Sequence, residues 1–414
     1  MTGPRLSDEQ RIDWLQLIRS DNIGPRTFRT LINRFGGARA ALEALPELVR
    51  KHAGGRQIRI AQRDACAREF EQAMRIGARF IVMGDREYPS ALREIDSPPP
   101  VLSVRGDVSV FARPMAAIVG SRNASAAGLS FTDRLARELS EADLVIASGL
   151  ARGVDQRAHR ASLQTGTIAV LAGGLERIYP PEHVGLADEI CERGAVISEM
   201  PLTWEPRGRD FPRRNRIVSG LALATIVVEA ARRSGSLITA RFANEQGREV
   251  FAVPGSPLDP RAEGCNDLLR SGATLCTRGA DVIEALAPIV AGNAEPRANL
   301  RDDEVLFPQA EKLWDETDLF GDPSTPLTES AHDLDDDGGR ADGANDHPFA
   351  PDAPLDDEPV TRIFDLLGAS PVSVDDLVRA SGFPTAIVNA ALFELEMDGA
   401  IVRPGGNLVA RATR

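Results

Sequence analysis

Lysine is nearly missing from this chain of 414 residues, and its scarcity excludes one large class of enzymes. Only Lys51 and Lys312 are present, so all but two of the 48 basic side chains are arginines. A phosphate-binding P-loop needs a lysine that directly follows a glycine, and neither lysine does. The composition therefore excludes a Walker-type nucleotide hydrolase.

Cysteine pairs, long apolar runs and several catalytic signatures are also missing. The four cysteines are scattered with no Cys-x-x-Cys pair, so we expect reduced thiols, with neither a zinc site nor a disulfide framework. No apolar run approaches the ~18 residues of a membrane-spanning helix, and the N-terminus lacks a signal-peptide core. No His-Glu-x-x-His or Gly-x-Ser-x-Gly sequence occurs. We therefore expect a cytoplasmic protein without membrane contact, metal or cofactor.

The net charge of −13 is concentrated in one acidic segment. Residues 301–358 carry 19 acidic and three basic side chains, which leaves a slightly basic remainder. The segment is rich in Pro, Gly and Ser and shows little apolar periodicity, a composition typical of disordered linkers. We interpret it as a solvated spacer. The alternative is a segment that competes with nucleic acid for a basic groove.

This linker, together with a proline-rich break at 98–100, divides the chain. We expect a helical domain over 1–80, an α/β domain over 85–290, the acidic linker over 293–357 and a C-terminal unit over 358–414. In the first domain, Asp8 to Ser20 has helical spacing, and Gly24-Pro25 begins a second helix. A glycine turn before a basic helix is similar to a helix-hairpin-helix, whose amides contact DNA phosphates. A helical accessory domain without DNA contact is the alternative.

Seven apolar runs alternate with amphipathic stretches of helical length in the central domain. Strands that are buried on both faces and separated by helices predict a parallel, doubly wound, Rossmann-like sheet. Ligands of such sheets bind beyond the carboxyl ends of the strands. The predicted strands are 116–120, 143–148, 167–172, 195–198, 225–229, 249–253 and 274–276.

The loops after these strands carry glycine and arginine. The first loop, with Ser121 and Arg122, lacks the Gly-x-Gly-x-x-Gly fingerprint, so NAD binding is disfavoured. The helix that follows it exposes amides that favour an anion, with a structural turn as the alternative. Convergent arginines suit a string of phosphates, and Phe211 could stack a base. A core residue that anchors its loop is the alternative for Phe211.

Nine motifs in order, over about half of the chain, resemble the DNA-processing protein A family (DprA/Smf). The resemblance implies a Rossmann-like domain that binds single-stranded DNA without sequence preference, protects incoming DNA and forms a homodimer. It also implies that the protein is no enzyme and loads a RecA-type recombinase in natural transformation. The motifs begin at Ile118-Val119-Gly120-Ser121-Arg122, Ser148-Gly149-Leu150-Ala151-Arg152, Thr167, Tyr179-Pro180, Ser198-Glu199, Phe211-Pro212-Arg213-Arg214-Asn215-Arg216, Ser234-Gly235-Ser236, Gly247 and Gly264-Cys265-Asn266.

The resemblance also implies a DNA-binding role for individual residues. Ser121 and Arg122 would hold phosphate, and Gly235 and Ser236 would complete the groove. Asn215 could equally bridge two loops by hydrogen bonds. The remaining members of the expected DNA-binding set are Arg152, Phe211, Arg214 and Arg216.

The C-terminal unit has the pattern of a winged helix. Helices are expected over 360–367, 373–380 and 385–397, followed by a hairpin over 401–410, and a Ser-x-x-Asp capping box opens the second helix. The third helix contains neither Lys nor Arg, which is unusual for a helix that reads a DNA groove. We therefore favour a protein contact, while duplex contacts through Arg403 and Arg411 stay open.

The rival hypothesis is an enzyme. A Rossmann-like sheet with Glu199 or Glu229 at strand ends is distantly similar to nucleotide phosphoribohydrolases. Those enzymes carry a Pro-Gly-Gly-x-Gly-Thr signature, whereas this chain has Ala172-Gly173-Gly174-Leu175-Glu176. A nucleotide-release assay on ribonucleoside monophosphates separates the two hypotheses.

Overall fold

The computed structural model describes residues 6–52, 59–292 and 358–412. The acidic linker predicted over 293–357 lies outside these residues. The chain begins with four helices, and the start of α1 is fixed by a reciprocal capping box between Ser7 and Gln10. α2 begins at Pro25 as predicted and ends at Gly36, whose φ of 78° suits glycine. The four are α1 (Asp8–Ile18), α2 (Pro25–Phe35), α3 (Ala38–His52) and α4 (Arg63–Arg75).

A nine-stranded sheet follows, in the order β1-β2-β6-β5-β4-β3-β7-β8-β9. β3 to β9 are parallel to their neighbours, which confirms the predicted doubly wound core. The elements are β1 (Ala78–Val82), α5 (Ser90–Arg93), β2 (Val101–Gly106), β3 (Met115–Gly120), α6 (Ala126–Glu141), β4 (Val145–Ser148), α7 (Val154–Ser162), β5 (Thr167–Val170), α8 (Val184–Arg193), β6 (Ala195–Ser198), α9 (Asp210–Leu221), β7 (Ala224–Val228), α10 (Gly235–Glu245), β8 (Glu249–Ala252), α11 (Glu263–Arg270), β9 (Thr274–Leu275) and α12 (Gly279–Val290).

The first two strands are an addition to the predicted sheet. β1 and β2 pair antiparallel, and β2 pairs antiparallel with β6, so the sheet is mixed. They flank the prolines at 98–100, which therefore lie in the connection between two strands of one sheet. The domain boundaries themselves stay predictions.

Apolar side chains on both faces of the sheet explain its three layers. β3 sends Ala116 and Ile118 into a cluster with α6, α7 and α12, whereas Ala117 and Val119 join a cluster with α9, α10 and α11. This alternation follows from the two-residue period of a strand. A sheet that is covered on both faces leaves its strand-end loops as the exposed edges.

A winged helix completes the structure and packs on the sheet domain. Its bounds confirm the three predicted helices and the hairpin, and Ser373 caps α14 as expected, accepting from the Asp376 amide. The Arg261 guanidinium donates to the carbonyl oxygens of Asp365 (3.0 Å) and Leu367 (2.8 Å). The elements are α13 (Pro359–Leu366), β10 (Val372–Ser373), α14 (Val374–Ser381), α15 (Thr385–Met397), β11 (Ile401–Gly405) and β12 (Leu408–Arg411).

Two features are missing from the described parts of the chain. No helix within 6–52, 59–292 or 358–412 has both the length and the apolarity needed to cross a bilayer. In the same ranges, no three His, Cys, Asp or Glu side chains are placed to share a metal ion.

Candidate nucleic-acid interface

The strand order reverses direction at β3, which places a crevice between the carboxyl ends of β3 and β7. We call the loops that form it, 121–125 and 229–236, the switch-point crevice; such positions are where open α/β sheets bind ligands. The two loops touch, since the Ser121 amide donates to the Val228 carbonyl at 3.4 Å. Gly120 is required for this approach because a Cβ there would lie 1.9 Å from the Val228 oxygen. The predicted glycine turn thus has a steric cause.

Glu229 fills the anion position at the start of α6. Its carboxylate accepts from the Ser125 amide at 2.8 Å and also from the Ser125 hydroxyl. Burial raises the pKa of the Glu229 carboxyl, although the hydrogen bonds from Ser125 oppose that shift. The helix N-terminus that the sequence offered to an external anion is therefore occupied by an internal one. A phosphate at this edge has to be held by other groups.

Arg122 and Phe211 meet at the mouth of the crevice. The Arg122 guanidinium lies over the Phe211 ring, 5.3 Å from its centroid. The Tyr179 ring approaches the same phenyl ring edge-on at 5.8 Å. All three residues are half-buried. A cation stacked on a partly exposed aromatic ring is a combination that binds a phosphate and a base of a single strand.

Arg214 lies inside the protein, behind this surface. Its guanidinium donates to the carbonyl oxygens of Gly149 and Val170, which joins the ends of β4 and β5. Burial lowers the pKa of Arg214 to about 10, although the nearby Asp155 carboxylate opposes the shift. The described contacts therefore use Arg214 to hold two loops together.

Arg216 is also internal. Its guanidinium bonds to the Glu199 carboxylate and to the Ser97 carbonyl, and its side chain is 3% exposed. Burial lowers the pKa of Arg216, against the effect of the Glu199 charge. The pair ties α9 to the loop that follows β6. Neither this arginine nor Arg214 presents its charge at the surface, and their predicted DNA contacts stay predictions.

Asn215, Gly235 and Ser236 join α9 to the switch-point crevice. The Asn215 amide donates to the Gly235 carbonyl at 3.2 Å, which is the loop bridge that the sequence left open. Ser234 caps α10 by accepting from the Ser236 amide, and the two hydroxyls lie 2.7 Å apart. These residues therefore fix the position of the second crevice loop.

Arg152 stands on a neighbouring loop, after β4. Its Nε donates to Glu182 Oε1 at 2.5 Å, and its side chain is largely covered. The structure thus gathers Ser121, Arg122, Phe211, Asn215, Gly235 and Ser236 around one crevice. It places Arg152 beside them with an acidic partner, and Arg214 and Arg216 beneath them.

Sequence reasoning gave no role to the loop 201–209, which carries a tryptophan and two exposed arginines. The Trp204 indole Nε1 donates to Asp210 Oδ2 at 2.8 Å, and the Arg207 guanidinium lies 4.8 Å from the Trp204 ring centroid. Arg207 and Arg209 are exposed. The available signal was the spacing of Trp204, Arg207 and Phe211, which puts aromatic and basic residues alternately on one loop.

Comparisons with known proteins match all three described parts of the chain. Three family models match: DNA recombination-mediator protein A over residues 79–287, a DprA-like N-terminal HHH domain over 8–72 and a DprA winged helix domain over 347–407.

Individual relatives agree with these matches. Protein Smf of Synechocystis is 30% identical over 421 residues, or 97% of this chain and 98% of that protein. DNA processing protein DprA of Bacillus subtilis is 43% identical over 213 residues, or 51% of this chain and 72% of that protein. The X-ray structure of DprA from Streptococcus pneumoniae superimposes with a TM-score of 0.57 at 30% identity, covering 68% of this chain and 98% of that chain.

Proposed function

Because this chain belongs to the DprA/Smf family of DNA-processing proteins, we propose that it binds single-stranded DNA without sequence preference in the switch-point crevice. In this proposal it is not an enzyme: it protects incoming DNA and loads a RecA-type recombinase during natural transformation. The family name supports DNA processing. The single-strand preference is argued from the crevice, and the recombinase step from the family resemblance.

The observation that carries the proposal is the contact of Arg122 with the Phe211 ring, 5.3 Å from guanidinium to centroid. A guanidinium binds phosphate oxygens in pairs, and every base has a face that can stack on a phenyl ring. Neither interaction reads the edge of a base, so neither selects a sequence. A base can reach the ring only when it is unpaired, which favours single strands over duplex.

The other crevice residues act through these two. Asn215 holds the Gly235 loop, while Arg214 and Arg216 hold the loops beneath α9. Ser121 and Ser236 offer hydroxyls beside the first phosphate. In this scheme Arg214 and Arg216 are positioning residues, and Arg122 carries the surface charge with Arg152 nearby.

Assembly is part of the same proposal. We propose a homodimer formed through the Rossmann-like domain, because two crevices on one particle would hold a longer single strand than one. Analytical ultracentrifugation of the chain with and without oligothymidylate measures it. A monomer in both samples would remove the dimer from the proposal and leave the crevice in place.

The test is an equilibrium titration of labelled single-stranded and duplex DNA at two or more salt concentrations. If the crevice neutralises four to six phosphates, log affinity should fall with log salt at a slope of about −3 to −4, since each contact contributes about −0.7. Oligothymidylate and a mixed sequence should bind equally. A flat salt response, or tighter binding to duplex, would contradict the proposal.

A further inference from the structure

The Arg122 and Phe211 contact is repeated nearby by a second aromatic and arginine pair. The Arg207 guanidinium lies 4.8 Å from the centroid of the Trp204 ring. Arg207 is exposed, Trp204 is half-buried, and Arg207 forms no ion pair with any residue that the structure describes. The charge of Arg207 therefore faces solvent beside an aromatic surface.

Asp210 connects the second pair to the first. Its carboxylate accepts from the Trp204 indole at 2.8 Å and from the Arg207 amide at 2.9 Å. Asp210 is 1% exposed and directly precedes Phe211. One buried carboxylate thus fixes both members of the second pair next to the aromatic ring of the first.

The backbone of this loop is fixed as well. The Trp204 carbonyl accepts from the Gly174 amide at 2.9 Å, and the Trp204 amide donates to the Pro201 carbonyl at 2.9 Å. Gly174 follows β5 and Pro201 follows β6, so the pair stands over the carboxyl ends of those two strands. Adjacent strands are about 4.8 Å apart, which places β6 about 14 Å from β3 along the sheet edge.

We propose that Trp204 and Arg207 form a second nucleotide subsite that extends the single-strand path from the switch-point crevice toward β6. The indole face stacks a base and the Arg207 guanidinium binds the adjacent phosphate. This inference rests on the proposed function and adds the direction in which the bound strand leaves the Phe211 ring. Its site is prearranged, since the loop is already held by Asp210 and Gly174.

The experiment is an anisotropy titration with 3′-labelled oligothymidylates from about 3 to about 12 nucleotides, a range that covers the site sizes of single-strand binders. Trp204→Ala should weaken binding of the long oligonucleotides about 5- to 150-fold, the equivalent of one lost base stack. The shortest ones, which reach only Phe211, should bind as they do to wild type. Arg207→Ala should make the salt slope shallower by about 0.7, one phosphate contact.

Two variants separate stacking from loop structure. Trp204→Phe keeps an aromatic face but loses the N–H donor to Asp210, so it should retain most of the affinity that Trp204→Ala loses. Equal losses in both variants would assign Trp204 to loop structure and overturn the subsite. Arg160→Ala is the charge control, because Arg160 is exposed at the end of α7, near the opposite edge of the sheet.

Tryptophan emission gives a second readout. Trp204 is one of three tryptophans in the chain, and DNA stacked on its indole should quench its emission. That quenching should disappear in Trp204→Phe while anisotropy still reports binding. If wild type binds no single strand, the proposed function fails and the subsite with it. If Phe211→Ala weakens binding but Trp204→Ala changes nothing at any length, the subsite alone is wrong.

Discussion

The mouth of the switch-point crevice and α15 of the winged helix both expose aromatic or large apolar side chains, but only the crevice pairs them with arginine. On α15, Phe393 is 65% exposed and Met397 is 73% exposed, and the neighbouring charges are Glu394 and Glu396. At the crevice, the Phe211 ring lies under the Arg122 guanidinium. An exposed ring beside carboxylates repels phosphate, whereas one beside a guanidinium attracts it. The comparison assigns nucleic acid to the sheet edge and favours a protein contact for α15.

The arginines of the winged helix reinforce this difference. Arg403 pairs with Glu396 at 3.0 Å, and the Arg411 guanidinium lies 3.9 Å from the Phe364 ring centroid. Arg411 also donates to the Phe364 carbonyl at 2.9 Å. Both charges are thus used within the winged helix, and duplex binding through them stays an untested alternative.

The largest expected effect concerns the support beneath the crevice. Arg216→Met should lower the free energy of unfolding by about 3–5 kcal/mol, because it leaves the Glu199 carboxylate buried without its partner. Urea denaturation of variant and wild type measures it, and Arg122→Ala, at the surface, should change stability by about 0.5 kcal/mol or less. A stable Arg216→Met protein that has lost DNA binding would instead make Arg216 a direct DNA contact.

The sequence was sufficient for the fold where periodicity was strong. Parallel strands such as β3 and the helix α15 were predicted almost to the residue, because buried runs and amphipathic helices have clear periods. β1 and β2 were missed, since 78–82 and 101–106 are short and the prolines between them suggested a boundary. Antiparallel pairing across such a connection depends on tertiary contacts with β6.

The candidate site was harder to predict, because loop composition does not say which side chains face outward. Arg214 and Phe211 are three residues apart, yet one is buried and the other half-exposed. One signal was available: Arg214 lies three and four residues before the buried Ile217 and Val218, on the core face of α9. Glu229 gave no such signal, since its position at the start of α6 is created by the fold.

The second prediction compares two phenylalanines. Phe211→Ala should weaken single-strand binding by about 1–3 kcal/mol, one base stack, and leave the salt slope nearly unchanged. Phe393→Ala, which removes an equally large ring from α15, should not change affinity. Titration of both variants with the same oligothymidylate checks this. Loss of folding in Phe211→Ala would show that the ring mainly anchors its loop.

The third prediction compares two arginines by salt dependence. Arg122→Ala should weaken all sequences alike and make the slope of log affinity against log salt shallower by about 0.7, one phosphate contact. Arg403→Ala, its counterpart in the winged helix, should leave the slope as in wild type. A shallower slope for Arg403→Ala would place phosphate on the wing and remove the distinction between the two regions.

The smallest expected effect on DNA binding comes from removing the winged helix altogether. A chain that ends at Gly292 lacks the acidic segment and the winged helix but keeps every crevice residue. It should bind single strands as the full chain does. Its melting temperature should fall, because the winged helix shares an apolar cluster with α6 and removal exposes that surface.

Two other results of this truncation would change the comparison. Tighter binding, most visible at low salt where the Debye length is ~30 Å at 0.01 M, would mean that the acidic segment screens the crevice. A tenfold loss, about 1.4 kcal/mol, would mean that the winged helix holds DNA despite an α15 without lysine or arginine. Arg261→Ala in the full chain distinguishes the two parts, since it removes the bonds to Asp365 and Leu367 and leaves the acidic segment in place. Affinity that rises on truncation but not in Arg261→Ala therefore assigns the screening to the acidic segment and not to the docked winged helix.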